Sequence, residues 1–260
     1  MTSGSVPALS YDHGSAIMRD AVRELDGVGD GMAIDRPGRP EDLPAAEVLW
    51  ARWALVAVLE AAAESEARGV RRGGTWIDGQ GLHLDDRGCT WWTFQQVGVG
   101  RYLLYGEDES SAVKWHDPAI DMLAQAPDWL PYERLRELLE GWELGCVYWY
   151  ENGAWARAPY PDELDDDGLD CGMSRFAVRE EALHDLIASE RGLPRERADG
   201  LLAAAEARSL TAAEIREVLD AAAAAEEYVP ADRAAMLRSL ELAALTAPAS
   251  VTSAAPNHPG

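Results

Sequence analysis

Lysine is nearly absent from this chain of 260 residues: Lys114 is the one lysine among 23 basic residues, and we attribute the excess of arginine to coding bias. Cysteine is also scarce, and Cys89, Cys146 and Cys171 form no CxxC pair. This argues against a disulfide scaffold and a tetrahedral zinc site, and it favours reduced thiols in the cytoplasm. The most apolar helical segment, 48–59, is well short of the ~20 residues of a membrane span. The N-terminal residues also lack the basic and apolar regions of a secretory signal, so we expect a cytoplasmic protein.

The composition is otherwise that of a globular protein, with 47% hydrophobic and 27% charged residues. This excludes a collagen-like fibre, a wholly disordered chain and a membrane bundle. The 46 acidic residues give a formal net charge of −23, and residues 101–180 are the most acidic part of the chain. A negative field repels nucleic acid and anionic membranes and favours cationic partners. We therefore expect a basic protein partner and no nucleic acid or membrane, although acidity for solubility alone is the simpler alternative.

Tryptophan is distributed unevenly, since all ten tryptophans lie between Trp50 and Trp155. We predict an α+β fold in which an antiparallel sheet packs against helices through these rings, followed by an all-helical C-terminal region. The predicted organisation is a flexible N-terminal segment with a short helix (1–42), a Trp-rich α+β domain (43–175), a helical region (176–245) and a disordered tail (246–260).

The coarse pattern places the main elements of the α+β part. A helix from Pro44 to about Arg68 is apolar on nearly all sides, which is typical of a central, buried helix. Residues 75–105 alternate with period two and predict short antiparallel strands, with Leu84 opposite Cys89. Residues 117–125 and 131–140 are then expected to form two helices.

The dipeptide Asn152-Gly153 lies between two extended runs and is a strong signal for a hairpin. A two-residue turn pairs Glu151 with Ala154, and it places four side chains on one face of the ribbon: Tyr148, Tyr150, Trp155 and Arg157. We interpret this face as a partner-binding surface, because Trp, Tyr and Arg dominate interface hot spots. Two acidic segments are expected beside it, namely 162–170 and the three residues Glu107, Asp108 and Glu109.

The acidic loop also resembles a calcium-binding frame. Glu163, Asp165 and Asp167 fall at alternate positions and Gly168 is the sixth residue, which is the spacing that supplies oxygen ligands. Ser174 occupies the twelfth position, where a bidentate glutamate is required, so a solvated acidic loop is the simpler interpretation. We expect no cofactor, with calcium as a weak candidate.

Signatures of catalysis are missing from the sequence, which has no GxSxG, GxxxxGK[ST] or HExxH motif. A histidine hypothesis names His83 and His116 as an acid and base, but no spacing links them. We therefore predict no catalytic residues and a non-catalytic acidic binding protein. A small, acidic, Trp-rich α+β protein of this kind is similar in character to immunity proteins of bacterial toxin systems, and an adaptor would have the same features.

Two alternatives remain open at this point. One is a carboxylate- or metal-dependent hydrolase, which needs the side chains of Glu163, Asp165 and Asp167 to converge on one cleft. The other is a structural subunit that assembles through its C-terminal helices. In that case, deleting the residues after 192 would abolish assembly but spare the sheet.

Overall fold

The computed structural model describes residues 33–61, 73–188, 193–224 and 233–246. They form a six-stranded antiparallel sheet in which the strands follow one another in chain order. The strands are β1 (Gly74–Asp78), β2 (Gly81–Asp85), β3 (Trp91–Gly98), β4 (Arg101–Glu107), β5 (Cys146–Glu151) and β6 (Ala154–Arg157). The helices are α1 (Ala46–Ala61), α2 (Tyr132–Glu140), α3 (Leu169–Ala177), α4 (Arg179–Ala188), α5 (Arg195–Glu206), α6 (Ala212–Ala224) and α7 (Arg233–Ala243).

The predicted α+β class is therefore confirmed, with helices filling the C-terminal region. Within the described ranges, no helix combines the length and apolarity that crossing a bilayer requires. The predicted short helix near the N-terminus and the predicted tail after residue 246 lie outside the described residues. The expected domain boundary at residues 175 and 176 falls within α3.

Helix α1 is the centre of the larger hydrophobic core. Twelve of its 16 residues are buried, including Trp50, Trp53 and Arg52. A helix that is apolar on all sides must be covered on all sides. One side packs against the sheet, where Trp50 lies 5.6 Å from the ring of Phe94, and the other sides meet the C-terminal helices.

The C-terminal helices complete this core rather than extending away from it. The ring of Trp53 stacks on Phe176 at 4.7 Å. Arg52 is 8% exposed and forms an ion pair with Glu206 of α5 at 2.7 Å. A buried guanidinium needs such a partner, because an unpaired buried charge is strongly destabilising. The two predicted regions thus share one core across the sheet face and α1.

The opposite face of the sheet carries a second, smaller core. Leu135 and Leu138 of α2 pack there with Leu103 and Trp149 of the sheet. The helix expected at 117–125 is wrong, because these residues form turns. The carboxylate of Asp121 accepts a hydrogen bond from the Leu123 amide at 3.0 Å, which favours a turn over a helix.

The pairing expected between β2 and β3 is also wrong, since Leu84 lies opposite Trp92 and not Cys89. The cause is the side chain of Asp86, which accepts hydrogen bonds from the amides of Gly88, Cys89 and Thr90. Because of this loop, β3 begins at Trp91. The register therefore differs from the expected one, and the side chains of β3 lie on the face opposite to the expected face.

Candidate functional site

The hairpin of β5 and β6 forms as predicted. Asn152 and Gly153 have φ of 56° and 82°, as a type I′ turn requires, and Tyr150 lies opposite Trp155. The face that carries these rings is nevertheless covered. Tyr148, Tyr150 and Trp155 are 0%, 6% and 8% exposed.

The covering elements are α1 and the segment that precedes it. The Trp155 indole donates to the carbonyl of Pro44 at 2.7 Å, and Arg157 donates to the carbonyl of Gly38 at 3.0 Å. The Tyr148 hydroxyl lies 2.6 Å from the Gly38 carbonyl oxygen. The interpretation of Tyr148, Tyr150, Trp155 and Arg157 as an exposed binding surface is therefore wrong. The three rings belong to the larger core, and Arg157 is half-buried beside them.

The acidic segment after β4 is only partly available to a partner. Glu107 forms an ion pair with Lys114, and Asp108 is 6% exposed and accepts a hydrogen bond from Thr90. Glu109 is the exposed member, and its hydrogen bond to the Cys89 thiol helps raise the pKa of that thiol to about 11. Of the three predicted carboxylates, one faces solvent without an ion pair.

The calcium frame does not assemble in the loop after β6. Asp167 points inward, where it accepts hydrogen bonds from the amides of Gly38 and Leu169 at 2.9 and 3.2 Å. Glu163 and Asp165 point to solvent. No group of three metal-ligating side chains is found in the described part of the chain. The prediction that Glu163, Asp165 and Asp167 share one metal is therefore wrong.

The structure also places the candidate acid–base and thiol groups. His83 contacts the hydroxyl of Thr93 at 3.2 Å and the carboxylate of Asp78 at 3.0 Å. Thr93 itself is buried in the sheet, with 6% of its surface exposed. Burial raises the pKa of the Cys171 thiol to about 12. Because the thiolate is the reactive form, neither this thiol nor that of Cys89 is activated.

An open groove of about 550 Å³ lies at the tips of two hairpins, beside Glu47 and Tyr150. Its other charged lining residues are Arg101 and Glu151, which form an ion pair with each other at 2.7 Å. The remaining carboxylate of the groove, that of Glu47, accepts a hydrogen bond from the Tyr150 hydroxyl, so the groove offers no convergent set of free polar groups.

The unusual surface feature is a pair of tryptophans, Trp115 and Trp142. Their ring centroids are 5.3 Å apart with an interplanar angle of 46°. They are 71% and 59% exposed. By contrast, seven of the other described tryptophan and phenylalanine side chains are less than 9% exposed. Two adjacent solvent-exposed indoles cost free energy in the isolated protein, and such patches commonly mark contact sites.

Trp142 is also in a strained backbone conformation. Helix α2 ends in a Schellman motif, in which the Glu143 amide donates to Leu138 at 2.9 Å and the Trp142 amide donates to Leu139 at 3.2 Å. Trp142 occupies the left-handed position of this motif with φ of 58°. Glycine is preferred there, because any other residue pays roughly 1–2 kcal/mol. Arg208 and Ala244 occupy the same position after α5 and α7, and Trp142 differs from them in exposing a large aromatic ring.

Lys114 joins the two segments that carry the pair. Its Nζ donates to the carbonyl oxygen of Trp142 at 2.9 Å and forms an ion pair with Glu107. The same Nζ lies 6.0 Å from the ring centroid of Trp115. Partial burial lowers the pKa of Lys114. The positive charge of this lysine is balanced locally by Glu107, so it adds little net charge to the surface.

Exposed carboxylates lie in the chain segments next to the pair. Glu163 lies 3.7 Å from His116, and the Ala112 amide donates to the carbonyl of Asp166 at 3.0 Å, so the acidic loop packs beside the turn of Trp115. Glu143 follows Trp142 directly and is exposed. We call Trp115, Trp142, Glu143 and Glu163 the tryptophan patch.

Sequence reasoning missed this patch because Trp142 continues the apolar spacing of α2. Leu135 and Leu138 are buried, but the helix ends at Glu140 and Trp142 turns away from their face. One signal was present: Trp142 follows Gly141, a helix terminator, so the helical spacing of α2 no longer applies to it.

Comparisons of the chain with protein-family models, with curated proteins and with solved structures gave no match.

Proposed function

We propose that the protein is a non-catalytic binding protein that holds a basic partner protein on the tryptophan patch. The observation that carries the proposal is the adjacent, exposed pair Trp115 and Trp142. Exposed aromatic side chains that lie together are typical of contact sites between proteins.

Charge determines the kind of partner. Glu143 and Glu163 are exposed beside the pair, and the whole chain carries a formal net charge of −23. Arginine and lysine side chains are attracted both to carboxylates and to the faces of indole rings. The surface thus suits a cationic segment, with indoles at the centre and carboxylates at the rim.

The two alternative functions receive less support. The hydrolase needs converging carboxylates, and Asp167 points inward while Glu163 points outward. The structural subunit needs free C-terminal helices, and most apolar residues of α5 and α7 pack within this chain, with Leu242 exposed. Three free cysteines are in keeping with the cytoplasmic location that the proposal assumes.

The test is a calorimetric titration of the protein with tetra-arginine peptide, with tetraglutamate as the control ligand. We expect saturable binding of tetra-arginine that weakens as salt is added, because exposed charges are screened. Glu163→Gln should weaken binding about two- to fivefold, which is the scale of one exposed ion pair.

The matched control is Glu196→Gln, which removes the same charge from α5, beyond the opposite face of the sheet. It should leave the affinity within experimental error. Equal effects of the two variants would show that net charge alone attracts the peptide, and no saturable binding would overturn the proposal.

A further inference from the structure

We propose that Lys114 is a positioning residue that holds Trp142 against Trp115, so that both indoles are presented to a partner as one unit. The evidence is the arrangement of three groups around one ammonium group. Nζ of Lys114 contacts the carboxylate of Glu107 and the carbonyl oxygen of Trp142, and it lies 6.0 Å from the centroid of the Trp115 ring, at the outer limit of a cation–π interaction. The inference rests on the proposed function for the importance of the pair, but the geometry it describes exists in the free protein.

The position of Trp142 depends on a contact from outside its own loop. The two Schellman hydrogen bonds fix the amides of Trp142 and Glu143, and the Trp142 indole is too exposed to be fixed by packing. The carbonyl oxygen of Trp142 is the remaining strong backbone group of that residue, and Lys114 binds it. Because Lys114 precedes Trp115 in the chain, the same side chain couples the backbone of one tryptophan to the segment that carries the other.

An ammonium group suits this position better than a guanidinium. It is compact, and its three protons can serve a carboxylate and a carbonyl that lie in different directions, whereas a guanidinium donates in one plane. The side chain of Lys114 is 11% exposed, which leaves little room for a larger group. All the remaining Lys and Arg positions of the chain hold arginine. The single lysine thus coincides with the position where geometry favours lysine.

The test compares Lys114→Met with wild type. Two close, tilted indoles couple their electronic transitions, which gives a pair of circular dichroism bands of opposite sign. The difference between wild type and Trp142→Phe isolates the bands of this pair. We expect Lys114→Met to reduce their amplitude by more than half and to weaken tetra-arginine binding by about tenfold.

Arg134→Met is the matched control, because Arg134 is an exposed base on the neighbouring helix α2 and its loss changes the net charge equally. It should leave the coupled bands unchanged. Glu107→Gln is the second variant in case Lys114→Met does not fold; it keeps the lysine, removes the ion pair and should reduce the same bands.

The outcomes separate the two proposals. Folded Lys114→Met with the coupled bands of wild type would overturn the role of Lys114, even if tetra-arginine binds. Full loss of the bands in Lys114→Met, together with no tetra-arginine binding by wild type, would support Lys114 as the positioning residue and overturn the proposed function.

Discussion

Gly141 and Trp142 are neighbours at the end of α2, and it is the tryptophan that adopts the left-handed conformation. Gly141 has φ of −78°, which any residue can adopt, whereas Trp142 has φ of 58°. Arg208 and Ala244 adopt the same conformation after α5 and α7, so the chain tolerates a side chain at this position more than once. The arrangement at Trp142 exposes an indole beside Trp115, which links a cost in stability to the proposed binding surface.

Trp142→Gly and Trp142→Ala should separate that cost from the indole itself. Both variants remove the ring, but only alanine keeps a Cβ at φ of 58°. We expect the glycine variant to have the higher free energy of unfolding by about 0.5–1 kcal/mol, which is the left-handed penalty less the entropic cost of glycine. Urea unfolding of both variants measures the difference. An alanine variant that equals or exceeds the glycine variant would show that the position carries no strain.

Asp167 should make stability depend on pH. Burial raises the pKa of its carboxyl group above the ordinary 3.8. A raised pKa in the folded state means that its contribution to stability is fully present below about pH 3.8 and is lost as the pH rises through the folded-state value. The geometry agrees, since the single proton of the Tyr148 hydroxyl faces both the Gly38 carbonyl and the Asp167 carboxyl, and a protonated Asp167 can donate in return.

Asp167→Asn imitates the protonated form at all pH values. Relative to wild type, its free energy of unfolding should therefore rise between about pH 3 and about pH 7. Urea unfolding at both pH values provides the measurement. Asp165→Asn is the control, because Asp165 is exposed in the same loop and should show no such trend. A constant difference between wild type and Asp167→Asn would contradict the prediction.

Gly172 of α3 should not tolerate a side chain. A Cβ there would overlap the buried indole of Trp92, so Gly172→Ala should lower the free energy of unfolding by about 1–3 kcal/mol. Gly200 of α5 is the matched control, since a Cβ there meets nothing within 4 Å. Gly200→Ala should raise stability by up to about 1 kcal/mol. If both variants changed stability in the same direction, the close packing of α3 on β3 would be in doubt.

The C-terminal helices should be necessary for folding of the sheet domain. A chain ending at residue 192 loses Glu206, the partner of the buried Arg52, and uncovers much of α1. We expect it to lose cooperative thermal unfolding, which circular dichroism measures. A chain ending at residue 246 keeps every described helix and strand and should unfold as the full chain does. A truncated chain with a cooperative transition would instead favour a separate C-terminal unit.

The local elements could be predicted from the sequence where short-range chemistry determines them. Asn152-Gly153 fixes the register of its hairpin because a two-residue turn leaves one pairing. Thr211 and Glu214 form a capping box at the start of α6, with the Thr211 amide donating to Glu214 at 2.8 Å, and this motif depends only on residues three apart. The pairing of Leu84 could not be predicted, because it depends on how the Asp86 side chain folds its loop.

Exposure was harder to predict than local structure. Period-two alternation places Tyr150 and Trp155 on one face, but which elements cover that face depends on the arrangement of α1 and the segment before it. The prediction of an aromatic and acidic surface therefore named the wrong rings. The structure offers a different pair, Trp115 and Trp142, beside one of the predicted acidic segments.

The most direct measurement is a two-dimensional nuclear magnetic resonance spectrum of the ten indole N–H groups during titration with tetra-arginine. Single tryptophan-to-phenylalanine variants assign the signals. If the two exposed indoles bind the peptide, we expect saturable shifts of the Trp115 and Trp142 signals. Buried indoles such as those of Trp53 and Trp92 should show smaller changes. Saturable binding that leaves the signals of Trp115 and Trp142 unmoved would contradict it.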